Sequence, residues 1–237
     1  MSTAREFAPP GQNRLLDALP PADRARLRSR LEPVQLSFKQ VLSASHEPIS
    51  HAYFPLGGLV SLLTVMADGA AVEVAVVGNE GVVGLSVFLG ARSTPGRVIC
   101  LIPSHALRLP TEVFRAEAAA GGALDRVLRR YAQGLFTQIA QTAACNRLHP
   151  MAQRLARWLL LTHDRVNADE FLLTHEFVSQ MLGVRRATVT EALGILQQAG
   201  VIGSRRGRIT IVDRPGLEAA ACECYRIVRD EMDHLLG

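Results

Sequence analysis

The sequence predicts an α+β chain built from an N-terminal antiparallel β-roll, a long helix and a C-terminal winged helix-turn-helix. Three observations predict it. Apolar residues alternate along short segments from about residue 33 to 110, they recur at helical spacing over 124–139, and two short helical patterns joined by a glycine then precede an arginine-rich hairpin pattern. At 237 residues, 48% hydrophobic and 20% charged, the chain can bury a real core and reads as two modules.

Composition also excludes classes. "MSTAREFAPPGQN" has no apolar h-region, and no apolar run reaches the roughly eighteen residues a membrane span requires, so a cytoplasmic protein without membrane attachment is expected. Cys100, Cys145, Cys222 and Cys224 form no C-x-x-C pair. Cys222 and Cys224, two apart, would point to different faces of a helix, so all four read as reduced structural thiols. His46 and His51 lie in a loop pattern and offer too few ligands for a metal. Neither a metal nor a cofactor is expected.

The elements follow in order. Leu15, Leu16, Leu19, Leu27 and Leu31, interrupted by Pro20-Pro21, predict one or two short helices. After Glu32 the period becomes two, with Val34, Leu36 and Phe38 alternating, and "ADG" at 67–69 splits valine- and leucine-rich runs as a hairpin turn does. Short strands continue to about Leu109, which together make the roll. Leu124, Leu128, Tyr131, Leu135 and Ile139 then fall on one stripe of a helix that ends near "LHP" at 148–150. Such a near-heptad stripe on a long helix predicts a dimer interface.

Pro150 suits the first turn of the next helix, which carries Met151, Leu155, Trp158, Leu159 and Thr162. After "FLLT" at 171–174, Thr174 is positioned as an N-cap with Glu176 in the first turn. The short helix through Phe177, Val178, Met181 and Leu182 ends at Gly183, where a turn needs positive φ. A second helix from about Arg185 to Ala199 turns Val189, Leu193 and Leu196 inward and stops at Gly200. In a helix-turn-helix the start of the second helix meets base edges and phosphates, and here it carries Arg185, Arg186, Thr188 and Thr190. "GSRRGRITIV" at 203–212 reads as a hairpin wing that would put Arg205, Arg206 and Arg208 on flanking phosphates. Charge agrees. The net charge is only +4, but 185–214 holds six arginines against Glu191 and Asp213, while 215–237 is net negative.

The order of roll, long helix and winged helix-turn-helix resembles the Crp/Fnr superfamily of bacterial transcription regulators. The likeness is carried by "LGVRRATVTEAL", "AGVI" and "RRGRITIVDR", and more loosely by "HAYFPLGGLVSLL" and "GNEGVVGLSVFLG". It implies an N-terminal sensor with a cyclic-nucleotide-binding-like roll at 1–122, a dimerisation helix at 123–147 and a DNA-binding domain at 148–237. The homodimer would bind a two-fold symmetric operator in double-stranded DNA. RNA polymerase and an unidentified small-molecule effector are the further partners it implies. Thr174, Arg185, Arg186, Thr188, Thr190, Arg205, Arg206 and Arg208 are the expected DNA contacts.

Arg186 matches the position where members commonly place a base-reading arginine, and Thr188 that of a phosphate-contacting hydroxyl. Ala187 and Glu191 stand where many members have a base-reading glutamate and a second arginine, so the operator does not carry over. Nucleotide-binding members hold the ribose with a Gly-Glu pair and the phosphate with Arg-Ser or Arg-Thr. The matching positions here read Gly84-Leu85 and Pro95-Gly96, and Arg92 or Arg97 would substitute only through a shifted loop. A cyclic nucleotide is therefore not expected. Iron–sulfur sensing by N-terminal cysteines is not expected either, because the first cysteine is Cys100. The alternative reading is a cupin-like small-molecule-binding protein or enzyme with an appended DNA-binding module. No His-x-His pair, no G-x-S-x-G elbow and no phosphate-cradling glycine loop supports catalysis.

Overall fold

A computed structural model of the protein describes residues 11–119, 121–166 and 168–236; what was expected of the first ten residues lies outside these. Two short helices open the chain, α1 (Arg14–Asp17) and α2 (Pro21–Arg28). Asn13 caps α1 by accepting from the Leu16 amide, and its Nδ2 donates to the carbonyls of Pro55 and Gly81 at 2.9 Å. One buried amide thus satisfies a helix end and pins it to the roll.

Strands β1 (Glu32–Leu36), β2 (Val41–Ser43), β3 (His51–Pro55), β4 (Leu59–Val65) and β5 (Ala71–Val77) follow. A short helix α3 (Leu85–Phe88) then precedes β6 (Arg97–Ile102) and β7 (Ser104–Pro110). They pair antiparallel in two sheets ordered β1-β7-β3 and β2-β6-β4-β5. The β4–β5 hairpin turns at Asp68–Gly69, with Gly69 at φ 86° and the Asp68 carboxylate accepting from the Ala70 amide. Leu36, Leu42, Tyr53, Val60, Val77, Val83, Cys100 and Ala106 are buried together in the roll.

Helix α4 (Thr111–Ala119) leads into α5 (Ala123–Leu148), 26 residues long. The stripe expected to face a second chain is turned inward instead. Leu124, Leu128, Tyr131 and Leu135 are 5%, 0%, 0% and 8% exposed, packed with Leu15, Leu16, Val82, Leu85, Phe114 and Met232 of the same chain. Of the five, only Ile139 stays at the surface. A helical stripe says that one face is covered but not by what, and here the roll and the last helix cover it. The outward face of α5 carries Gln133, Phe136, Ala140, Ala143 and Arg147, at a three-four-three-four spacing.

The C-terminal half comprises α6 (Met151–His163), β8 (Glu170–Leu172), α7 (His175–Leu182), α8 (Arg186–Gln198), β9 (Ile202–Arg205), β10 (Arg208–Ile211), α9 (Arg214–Ala220) and α10 (Cys224–Leu236). Its core is continuous with the roll: Leu59, Leu63, Val76 and Leu101 pack in one cluster with Leu155, Trp158, Leu159, Met181 and Leu182. Polar groups reinforce the junction. Glu80 takes Arg165 in an ion pair buried on both sides, and Gln138 of α5 accepts from the Val76 amide at 2.6 Å. Among the described residues no helix is long and apolar enough to cross a membrane.

The two-residue spacing of Cys222 and Cys224 does not separate their thiols. Cys222 precedes α10, following an Ala221 with extended backbone, and its carbonyl accepts from the Tyr225 amide in a tight turn. Both side chains meet Cys145 and His149 at the end of α5. His46 and His51 belong to no such group among the described residues.

Candidate nucleic-acid interface

The interface is assembled by turn chemistry. The Thr174 hydroxyl oxygen accepts from the Phe177 amide and caps α7, leaving its own O–H exposed on the surface. Gly183 ends α7 at φ 63°, and its amide and that of Val184 return to carbonyls of the last turn, so the chain reverses within three residues. Arg185 is the N-cap of α8 with extended backbone and no side-chain cap, which leaves the first amides of a 13-residue helix without a side-chain acceptor. A phosphate is the anion such an end attracts.

Val189, Ala192, Leu193 and Leu196 hold α8 on the core, and that burial sends Arg185, Arg186, Ala187, Thr190 and Glu191 outward. Neither Arg185 nor Arg186 uses its guanidinium within the described residues. Thr188 is half-buried. The Thr190 hydroxyl donates to the Arg186 carbonyl at 3.1 Å and lies 3.0 Å from Nδ1 of His175. The protonated Nδ1 tautomer of His175 completes this pairing as donor. Thr190 is therefore first a tie between α7 and α8, and His175 is a member of the site that sequence reasoning missed. No local pattern would have found it, because its partner is fifteen residues on.

The wing is the β9–β10 hairpin, extended to three strands by β8. Arg206 and Gly207 form its two-residue turn with φ of 50° and 76°, the conformation that matches strand twist. Arg205 and Arg206 project from the tip and make no ion pair among the described residues. Arg208 differs from them in that its guanidinium pairs with Glu170 of β8, in an ion pair exposed on both sides. The tip lies beside the helix-turn-helix, since a Cβ on Gly207 would sit 3.5 Å from the Thr174 methyl. Gly207 beside Thr174, and His175 beside Thr190, make the wing turn, the start of α7 and the first turns of α8 successive neighbours.

On the sensor side, Gly84 begins α3 at φ 100° and Leu85 is 7% exposed within the apolar cluster below α5. Arg92 and Arg97 are exposed. At the junction, Glu73 accepts from Trp158 Nε1 and Ser61 Oγ, and burial pushes its carboxyl up to about 7 against the pull of those donors.

A family model described as a Crp-like helix-turn-helix domain matches residues 153–220, and one described as a cyclic nucleotide-binding domain matches residues 33–120. Among curated proteins, the global nitrogen regulators of Synechococcus elongatus and Synechocystis sp. are 27% and 29% identical over 178 residues. That is 70% of this chain and 78% and 77% of theirs. Among solved structures, FixK2 from Bradyrhizobium japonicum superposes with a TM-score of 0.68 at 19% identity, covering 81% of this chain and 98% of that one. A regulator from Eubacterium rectale gives 0.67 at 16%, covering 87% and 96%. At these identities the solved structures speak to the fold.

Proposed function

The chain belongs to the Crp/Fnr family of transcription regulators, and from that premise we propose that it works as a homodimer on a two-fold symmetric DNA site. The family is one of regulators and not of enzymes, which removes the cupin-like enzyme reading. One observation carries the proposal. Arg185 and Arg186 are exposed at the open N-terminus of α8, and Arg205 and Arg206 are exposed at a wing tip whose Gly207 lies beside Thr174 at the start of α7, which His175 ties to α8 through Thr190.

Arg186 reads a base edge through its bidentate fork, and Arg185, Thr174, Arg205 and Arg206 hold phosphates. The second copy docks on the outward face of α5, where Phe136 is 68% exposed among Gln133, Ala140 and Ala143. Small alanines in heptad register admit close helix approach, and an exposed phenylalanine in that row favours covering it. The sensor takes no cyclic nucleotide: Leu85 offers no acceptor for a ribose hydroxyl, and exposed Arg92 and Arg97 supply no buried partner for a phosphate. The protein acts in the cytoplasm, where its DNA is. Sequencing fragments retained from a random DNA pool tests this reading: a palindromic consensus is expected, and retention without any enriched site overturns it.

A further inference from the structure

Outside the DNA-facing surface, four side chains with soft or borderline donor atoms converge at the end of α5. Cys145 lies in its last turns and His149 is its C-cap, held one turn apart by the His149 amide donating to the Cys145 carbonyl at 3.1 Å. Cys222 comes from the turn between α9 and α10 and Cys224 is the first residue of α10; Cys222 is 77 residues from Cys145 and Cys224 75 from His149. Their ligand atoms all lie within 4.8 Å of one another, and the three thiols are buried.

The geometry points to a structural zinc site with Cys145, His149, Cys222 and Cys224 as its four ligands. The spacing fits tetrahedral coordination. With Zn–S near 2.3 Å and Zn–N near 2.0–2.1 Å, tetrahedral ligand atoms stand about 3.5–3.8 Å apart. The Cys145 and Cys222 sulfurs are 3.5 Å apart, and the Cys224 sulfur is 3.6 Å from His149 Nδ1. A sulfur pair at 3.5 Å is far outside disulfide length, near 2.05 Å. Three sulfurs and one imidazole nitrogen, closed and dry, form the donor set of structural zinc.

Two independent features suit the ion. Nε2 of His149 lies 3.4 Å from the Glu223 carboxylate, within reach of the orienting contact that a metal-binding imidazole makes through its other nitrogen. Three thiolates and Zn²⁺ leave one negative charge. Arg157, 6% exposed, donates Nη2 to Thr142 on the same helix as Cys145, and its Nε has no hydrogen-bond partner. The metal would staple the end of α5 to the turn that closes the DNA-binding domain, fixing the angle between helix and wing.

The test uses the full chain, purified reduced and exposed to excess zinc, then desalted. Elemental analysis should return one zinc per chain, and cobalt replacement should give the thiolate charge-transfer and visible bands of tetrahedral sulfur-rich coordination. Cys222→Ser with Cys224→Ser should abolish both, and Glu223→Gln should weaken zinc binding roughly ten- to hundredfold without removing a ligand. If the double variant fails to fold, the cobalt spectrum of the intact protein decides, because surface histidines cannot produce three-sulfur coordination. Zinc far below one per chain, zinc retained by a folded double variant, or a Cys145–Cys222 disulfide with no metal uptake on reduction overturns the site.

Discussion

Nε1 of Trp158 donates to Oε1 of Glu73 at 2.7 Å, across the junction between roll and DNA-binding domain. The second carboxylate oxygen accepts from Ser61 at 2.6 Å, and the residue is buried. Burial lifts its pKa from 4.5 to about 7, so the folded chain holds this proton more tightly than the unfolded one. Stability from this group is full below about pH 4.5, falls as pH rises and is lost above about pH 7. Glu73→Gln removes that dependence. Its stability relative to the parent should therefore grow with pH across this interval, by at most about 1.4 kcal/mol per pH unit, and then level off. Urea denaturation of both proteins over the range checks it; a difference independent of pH would mean that the carboxyl is ionised throughout.

The two arginine groups should fail differently. Arg186→Ala should cost about 1–3 kcal/mol on the selected operator and much less on random DNA, relaxing one base pair per half-site. Arg206→Ala should weaken both DNAs alike and reduce the slope of log K against log salt by about 0.9 per lost phosphate contact, or twice that in a symmetric dimer. Binding titrations at several salt concentrations read both. Equal loss on both DNAs for Arg186→Ala would move base reading to Arg185.

Neighbouring residues on α5 separate folding from association. Phe136→Glu places a charge on the outward face and should yield a folded monomer by light scattering, with unchanged circular dichroism. Leu135→Asp puts a carboxylate into the chain's own core and should destabilise by about 3 kcal/mol or more, giving unfolded or insoluble protein. A folded monomer from Leu135→Asp would return the interface to the inner stripe.

Calorimetry with cyclic AMP and cyclic GMP should show no binding at micromolar concentrations. Micromolar affinity for either would mean that the loop carrying Arg92 and Arg97 closes over the ligand, and those two residues would be mutated first.

The helix-turn-helix was readable from the chain because its determinants are local: a capping hydroxyl at Thr174, a left-handed Gly183 and the inward period of α8 sit within a few residues of what they control. The stripe on α5 was readable as buried, yet its partner was not, since Met232 covers it from almost a hundred residues on. Arg208 looked equivalent to Arg205 and Arg206 until strand pairing brought Glu170 beside it. The cysteines show the same limit. Helical spacing sets Cys222 and Cys224 on different faces, but Cys222 follows the extended Ala221 ahead of α10, and both sulfurs meet Cys145.

Gly134 of α5 has a further consequence. A Cβ there would lie 3.0 Å from the Met232 sulfur, so α10 runs tight against the helix that the roll also needs. The core that begins with Leu15 is closed by Met232, most of the described chain away in sequence. Contacts of such long sequence separation form late and slowly, so a nascent chain lacking α10 carries an open apolar seam that proteases and chaperones can read. A chain cut at residue 148 would leave bare the face of α5 that Met232 covers.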